Sequence, residues 1–166
     1  AFKKNITSEM KVAVLSSTTS MVSKYHHGEA SLEMAIVGMA QNFVGSNNIP
    51  LLEPIGQFGT RLASNDAASS RYIFTRLSKI TRLIFPAADD KIVPPKFDDG
   101  DEIEPVFFCG IIPILACSGS SGIGTGFSCT ILPHDPRQIV SHIMGKLNGT
   151  TPCKIEPFYQ GWTGTC

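Results

Sequence analysis

Tyr25-His26-His27-Gly28-Glu29-Ala30-Ser31-Leu32-Glu33-Met34-Ala35-Ile36-Val37-Gly38-Met39-Ala40-Gln41-Asn42-Phe43 is the stretch on which the fold turns. From Ser31 to Phe43, the residues Leu32, Ala35, Ile36, Met39, Ala40 and Phe43 recur at helical spacing and predict an amphipathic helix. Upstream, Ser8 to Lys24 reads as another helix. Thr7 or Ser8 can cap it, Glu9 sits in its first turn, and Met10, Val14, Met21 and Val22 supply apolar positions. The run from Ser16 to Ser20 weakens that helix toward its C-terminal end, because hydroxyls compete for the nearby backbone. Two helices joined by a short polar turn containing Gly28 fit a helix-turn-helix.

Downstream, Gly45 to Asn48 are loop residues, and Pro50, Pro54 and the glycines of Gly56 to Gly59 keep the chain irregular or in short strands. Ile73, Phe74 and Thr75 have β-type composition, which places Tyr72 at the start of a strand. Leu77 to Phe85 reads as a short amphipathic helix stopped by Pro86, and Pro86 to Pro105 as an acidic surface loop. A helix-turn-helix followed by a strand and a further loop is the outline of a winged helix. Val106 to Ala116 is strongly apolar and predicts one or two buried strands. Asp135-Pro136-Arg137 caps a last helix, about Pro136 to Leu147, which Asn148-Gly149 ends. The expected class is α+β: a winged-helix domain over 1–105, and a strand-rich segment with a C-terminal helix over 106–166.

The chain has 166 residues, enough for its own core, and its composition is that of a soluble globular protein. No apolar run approaches the roughly 20 residues needed to cross a bilayer, and Ala1-Phe2-Lys3-Lys4-Asn5 is no signal peptide. The cysteines are odd in number and lack CxxC spacing, which argues for free thiols and against zinc or a disulfide framework. Without a secretion signal, the sequons Asn5-Ile6-Thr7 and Asn148-Gly149-Thr150 read as coincidence. The formal charge is zero, against a generic basic nucleic-acid binder, yet it is unevenly spread. Residues 1–82 hold nine Lys/Arg against five Asp/Glu, and residues 83–166 hold five against nine, so the halves carry +4 and −4. A basic first half could track phosphates; a chance split of solvated surface charge is the alternative.

Chemistry concentrates in Asp66-Ala67-Ala68-Ser69-Ser70-Arg71-Tyr72. A phenol has a pKa near 10 and needs help to act as a nucleophile at neutral pH. An adjacent guanidinium stabilises developing phenolate and offers a planar fork to phosphate oxygens. The small residues before it let a large substrate approach the backbone. On chemistry alone, such a pair is more often surface decoration or a core tyrosine with a satisfied hydroxyl. His26 and His27 lack a third metal ligand at a helpful spacing, and Asp89-Asp90 and Asp98-Asp99 read as acidic surface. Ser118 to Gly126 is rich in glycine but is neither a Walker loop nor a dinucleotide fingerprint. An isoleucine held on such a loop, Ile123, suits a wedge between base pairs; an ordinary turn with Ile123 in the core is the alternative.

Tyr25-His26-His27-Gly28-Glu29, Ala40 to Asn48, Gly56-Gln57-Phe58-Gly59-Thr60-Arg61, Ala67 to Ile73 and Gly122-Ile123-Gly124-Thr125-Gly126 occur in order. Together they resemble the breakage-reunion core of a eukaryotic-type (type IIA) DNA topoisomerase II, of cellular or large-DNA-virus origin, over essentially the whole chain. The resemblance implies that Tyr72 attacks a DNA phosphodiester to form a 5′-phosphotyrosyl link, with Arg71 stabilising the phosphate charge. It implies that His27 contacts the phosphate or transition state, that Tyr25, His26 and Arg61 face DNA, and that Ile123 intercalates and bends it. It implies a fragment leading toward a tower domain, with Mg²⁺ carboxylates and ATP binding in other domains. It also implies double-stranded DNA as partner, a homodimer in which each protomer cuts one strand, no membrane, and location in the nucleus or a viral factory.

The sequence departs from the family at a few places. Ser64-Asn65 stand where Gly-Gly-Lys is usual, one residue shorter and without the lysine. Gly110 stands for a proline, Phe127 for a tryptophan, and Ser118-Gly119-Ser120-Ser121 for Asn-Gly-Ala-Glu. These changes imply weaker phosphate anchoring or altered loop geometry. The rival reading is a DNA-binding module that keeps the fold without catalysis. An exposed Tyr72 hydroxyl near Arg71 and His27 favours catalysis; a buried, hydrogen-bonded one favours the module.

Overall fold

The computed structural model describes residues 2–3 and 6–165, so Asn5 of the first sequon and Cys166 lie outside the described residues. The chain divides into two compact units, one formed by 1–41 and 50–111, the other by 42–49 and 112–166.

In the first unit, β1 (Met10–Lys11) leads directly into α1 (Val12–Ser23), and α2 (Glu29–Ala40) follows. β2 (Leu52–Ile55) and β3 (Phe74–Leu77) complete an antiparallel sheet in the order β1-β3-β2, with Lys11 and Ile55 both paired to Phe74. Val12, Leu15, Ile36, Ala40, Leu52, Phe58 and Ile73 form one buried cluster between helices and sheet. The α+β character is as expected. The helix pair with its antiparallel sheet is consistent with the expected winged helix.

The helix boundaries differ from the sequence expectation for identifiable reasons. Met10 and Lys11 pair with Thr75 and Phe74, so α1 starts at Val12 and neither Thr7 nor Ser8 caps it. Its first N–H groups are met by backbone instead: Val12 donates to Ile73 O at 3.0 Å and Ala13 to Ser70 O at 3.1 Å. The Ser/Thr run does not break α1, because its hydroxyls bond inside or beside the helix. Ser17 donates to Val14 O and Ser23 to Thr19 O, while buried Ser16 reaches Glu29 O. Lys24, in the left-handed region at φ 48, then stops it. α2 ends at Ala40 rather than Phe43, because the Gln41 side chain leaves to bridge Phe58 O and Ser64 O at 2.8 and 2.7 Å.

Beyond β3 the expected Leu77–Phe85 helix shrinks to one turn, α3 (Thr81–Ile84), because Leu77 stays in the sheet opposite Leu52. The supposed acidic loop contains a hairpin, β4 (Pro95–Asp98) and β5 (Asp101–Pro105). Asp99 and Gly100 both have positive φ, 48 and 83, the conformation an Asp-Gly hairpin turn requires. The apolar run after it is not a pair of buried strands. Val106, Phe107, Phe108 and Ile111 are exposed, the run has no strand, and it ends in α4 (Ile114–Ser118). Pro105 and Pro113 remove ladder donors at both ends, and Gly110 adds backbone freedom between them.

The second unit holds α4, the hairpin β6 (Ser120–Gly124) and β7 (Phe127–Ile131), and α5 (Pro136–Leu147). α5 matches its sequence signal: Asp135 caps it by accepting from Arg137 N at 2.8 Å, Pro136 occupies the first turn, and Ile139 is buried. Asn48 organises the rest. Its amide donates to Cys117 O, His134 O and Phe158 O at 2.8, 3.2 and 2.9 Å, and its carbonyl accepts from Gln160 N at 2.8 Å. By local sequence, Asn48 carries only the signal of a loop residue. Cys109, Cys117, Cys129 and Cys153 are free thiols, and burial pushes the Cys117 thiol up.

Candidate DNA-cleavage site

Tyr72 lies in the turn that feeds β3, two residues before the strand begins at Phe74. The alternation of this segment places its side chains oppositely: Ile73 is 2% exposed in the core, whereas Tyr72 is 71% exposed. A buried isoleucine therefore anchors the backbone while the neighbouring phenol stands in solvent. The hydroxyl of Tyr72 has no hydrogen-bond partner among the described residues.

The backbone on either side of Tyr72 is held by hydrogen bonds. Tyr72 N donates to Ser69 O at 2.8 Å, and Ala68 N to Gln57 O at 2.9 Å. Ser70 O and Ile73 O accept the two α1 donors described above. The Ser70 hydroxyl donates to Glu33 Oε1 on α2 at 2.7 Å. At Gly59 the loop folds so tightly that a side chain there would meet Ser64 O at 2.6 Å, and φ is +91.

Arg71 is exposed, with its guanidinium carbon 5.5 Å from the Tyr72 ring centroid and its Nε donating to Ser69 Oγ at 3.3 Å. A cation held there leaves its terminal nitrogens open to an anion beside the phenol. Tyr25 and His27 form a second pair at the α1–α2 junction, rings edge to face at 5.3 Å. No hydrogen bond or ring contact among the described residues joins that pair to Tyr72. His26 turns to the β4–β5 hairpin, its Nε2 3.6 Å from Asp98 Oδ2, and is largely exposed. Arg61 lies exposed on the loop before Asp66.

Ile123 is on β6, one residue before the strand's end, not on an open glycine loop. It pairs with Ser128 and is 92% exposed. The hairpin owes its shape to Gly124, where a side chain would come within 2.9 Å of the Phe127 ring. The aromatic ring lies across the glycine and stiffens the tip next to Ile123.

Several acidic side chains are engaged by basic ones. Arg82 grips both oxygens of Asp90 at 3.0 and 2.6 Å and holds its carboxyl below the usual range. Lys24 pairs with Asp101 at 2.9 Å. Among the described residues, no group of three or more His, Cys, Asp or Glu could hold a metal ion. These residues do not fit the seat of a catalytic magnesium. No helix among them is long and apolar enough to cross a membrane.

A family model for the A-type chain of DNA gyrase/topoisomerase IV matches residues 1–166. The chain is 50% identical over 165 residues to DNA topoisomerase 2-beta of Homo sapiens, covering 99% of this chain and 10% of that protein. It is 51% identical over 166 residues to DNA topoisomerase 2 of Arabidopsis thaliana, covering 99% of this chain and 11% of that protein. In three dimensions it resembles the Plasmodium falciparum topoisomerase II DNA-binding, cleavage and re-ligation domain, with a TM-score of 0.95 and 42% identity. That match covers 99% of this chain and 23% of the other. The chain thus spans about a tenth of the length of the curated relatives it matches.

Proposed function

The chain belongs to the DNA gyrase/topoisomerase IV family, on the A-type side, and from that premise we propose that it is the nucleophile-bearing part of a type II DNA topoisomerase. In this reading the Tyr72 oxygen attacks a phosphodiester of double-stranded DNA. The new bond is a 5′-phosphotyrosyl ester, and the bond that breaks releases a 3′-hydroxyl. Attack by that hydroxyl on the ester reverses the step, so bond energy is kept for religation. Arg71 stabilises charge on the phosphate. His27 contacts the same phosphate, Tyr25, His26 and Arg61 line the duplex, and Ile123 wedges into it. Two copies, one per strand, make the double-strand break through which a second duplex passes.

The observation that carries the reading is the placement of Tyr72: solvent-facing, unpartnered at its hydroxyl, on a backbone pinned from several sides. A module that had lost catalysis would have no need of such support for an exposed phenol. Magnesium, acting as Lewis acid, and ATP belong in this proposal to other segments of a longer chain working in the nucleus or a viral factory. The test is Tyr72→Phe in the longer enzyme. Covalent protein–DNA complexes should disappear, with DNA affinity and melting temperature almost unchanged. Complexes trapped by the variant would show that Tyr72 is not the nucleophile.

A further inference from the structure

We infer that Glu33 is a positioning residue for the Tyr72 nucleophile and acts through Ser70. The inference rests on the reading of Tyr72 given above. Besides the burial of Ile73, residues 67–73 are held by backbone hydrogen bonds: Ala68 to Gln57, Val12 to Ile73, Ala13 to Ser70, Tyr72 to Ser69. Such bonds define the path of the chain but depend little on side-chain identity. Among the described residues, the Ser70–Glu33 bond is the one side-chain hydrogen bond that reaches 67–72 from another element. At 2.7 Å between a hydroxyl and a carboxylate oxygen, it has the length of a charge-assisted bond.

Its location gives it leverage. Ser70 precedes Arg71 directly and Tyr72 by two residues. Its carbonyl is held by the first turn of α1 and its hydroxyl by α2, so both helices of the helix-turn-helix converge on this one residue. Of the remaining side chains in the segment, the Ala68 methyl packs on the core cluster but offers no directional tie, and the Ser69 hydroxyl bonds only to Arg71 within the segment. Without the Glu33 tie, the Ser70–Arg71 backbone can rotate about its two carbonyl anchors, and the phenol at Tyr72 moves with it. In-line attack at phosphorus is sensitive to displacements of about 1 Å, which can cost on the order of a hundredfold in rate. A carboxylate beside a duplex otherwise repels phosphate. Glu33 offsets that disadvantage by fixing the nucleophile.

The test uses the longer enzyme and the yield of covalent protein–DNA complex per folded molecule, measured with DNA affinity and melting temperature. Glu33→Ala and Ser70→Ala should each lower that yield about tenfold or more, the range expected for losing a hydrogen bond to a charged group. The double variant should be no worse than the weaker single one, because both delete the same bond. Glu33→Gln, whose amide oxygen still accepts from Ser70, should restore most of the yield. Wild-type yield in Ser70→Ala, additive losses in the double variant, or a Glu33→Gln as poor as Glu33→Ala would each overturn the inference. So would a loss that vanishes on correcting for the folded fraction. Tyr72→Phe run alongside separates the two readings: complexes trapped by it defeat the nucleophile assignment, whereas their absence with normal Ser70→Ala defeats only this one.

Discussion

The Tyr72 turn and the β6–β7 hairpin each present an exposed side chain that the proposal aims at a duplex, and they are built in opposite ways. Behind Tyr72 stand a buried isoleucine, two helix N–H donors and a carboxylate from α2. Every residue of β6 and β7 is exposed, and the hairpin is held by its own ladder, the Phe127–Gly124 contact and a single Ser121–Thr130 hydroxyl pair. The difference follows the tasks assigned to the two sites. Covalent attack needs an oxygen placed within fractions of an ångström. A wedge needs only a rigid apolar tip that enters a base step, so exposure is itself the requirement.

If the turn is fixed by what lies beneath it, Ile73→Ala should have the largest effect on stability. Ile73 is buried in the core cluster, its carbonyl accepts from Val12, and it is the residue immediately after Tyr72. Truncation should cost about 2–5 kcal/mol in a denaturant titration. Covalent-complex yield should fall further than the loss of folded protein accounts for. A stable variant with normal yield would mean that the core does not set the phenol's position.

The same truncation in the hairpin should do the reverse. Ile123 is 92% exposed, so Ile123→Ala should change stability by no more than about 0.5 kcal/mol. Kinking DNA costs a few kcal/mol per unstacked step, on the order of what a wedge offsets. Bend angle, read by energy transfer across an end-labelled duplex, should therefore drop together with cleavage. A collapsed melting temperature with normal bending in the surviving fold would make Ile123 a structural residue.

Regions of the chain also differ in how far the sequence discloses them. α5 is written in local signals, Asp135, Pro136 and Asn148-Gly149, and forms where they say. The Tyr72 turn is legible in composition, yet its supports are not, because Glu33 and Ser70 are 37 positions apart and neither residue type announces a partner. The caps expected at Thr7 or Ser8 fail for the same reason: carbonyls of a distant turn meet the helix donors first. At Asp99-Gly100 the hairpin signal is present, but the neighbouring acids suggest a loop. From Val106 to Ile111 hydrophobicity suggests burial, although proline and glycine remove the means of forming a strand. Asn48 shows the limit most plainly, since its four partners lie on three other segments.

The smallest expected effect tests whether a hydrogen bond matters by its kind or by its place. Ser121 and Thr130 face each other across the hairpin with their hydroxyl oxygens 3.3 Å apart, on the same strand face as Ile123. Both residues are exposed, so water replaces the partner when either is removed, and the net worth of such a bond is a fraction of a kcal/mol. Thr130→Ala should thus leave melting within about 0.5 kcal/mol of the parent and leave bend angle and covalent-complex yield unchanged. Ser70→Ala deletes a hydroxyl of the same chemical type, but in the half-buried turn, with a carboxylate left unanswered and Tyr72 two residues away. If both variants are silent, side-chain hydrogen bonds matter at neither site, and the backbone bonds alone position Tyr72. If Thr130→Ala reduces bending as much as Ile123→Ala, the hairpin is not a passive mount for Ile123, and the contrast between the two regions fails at the hairpin.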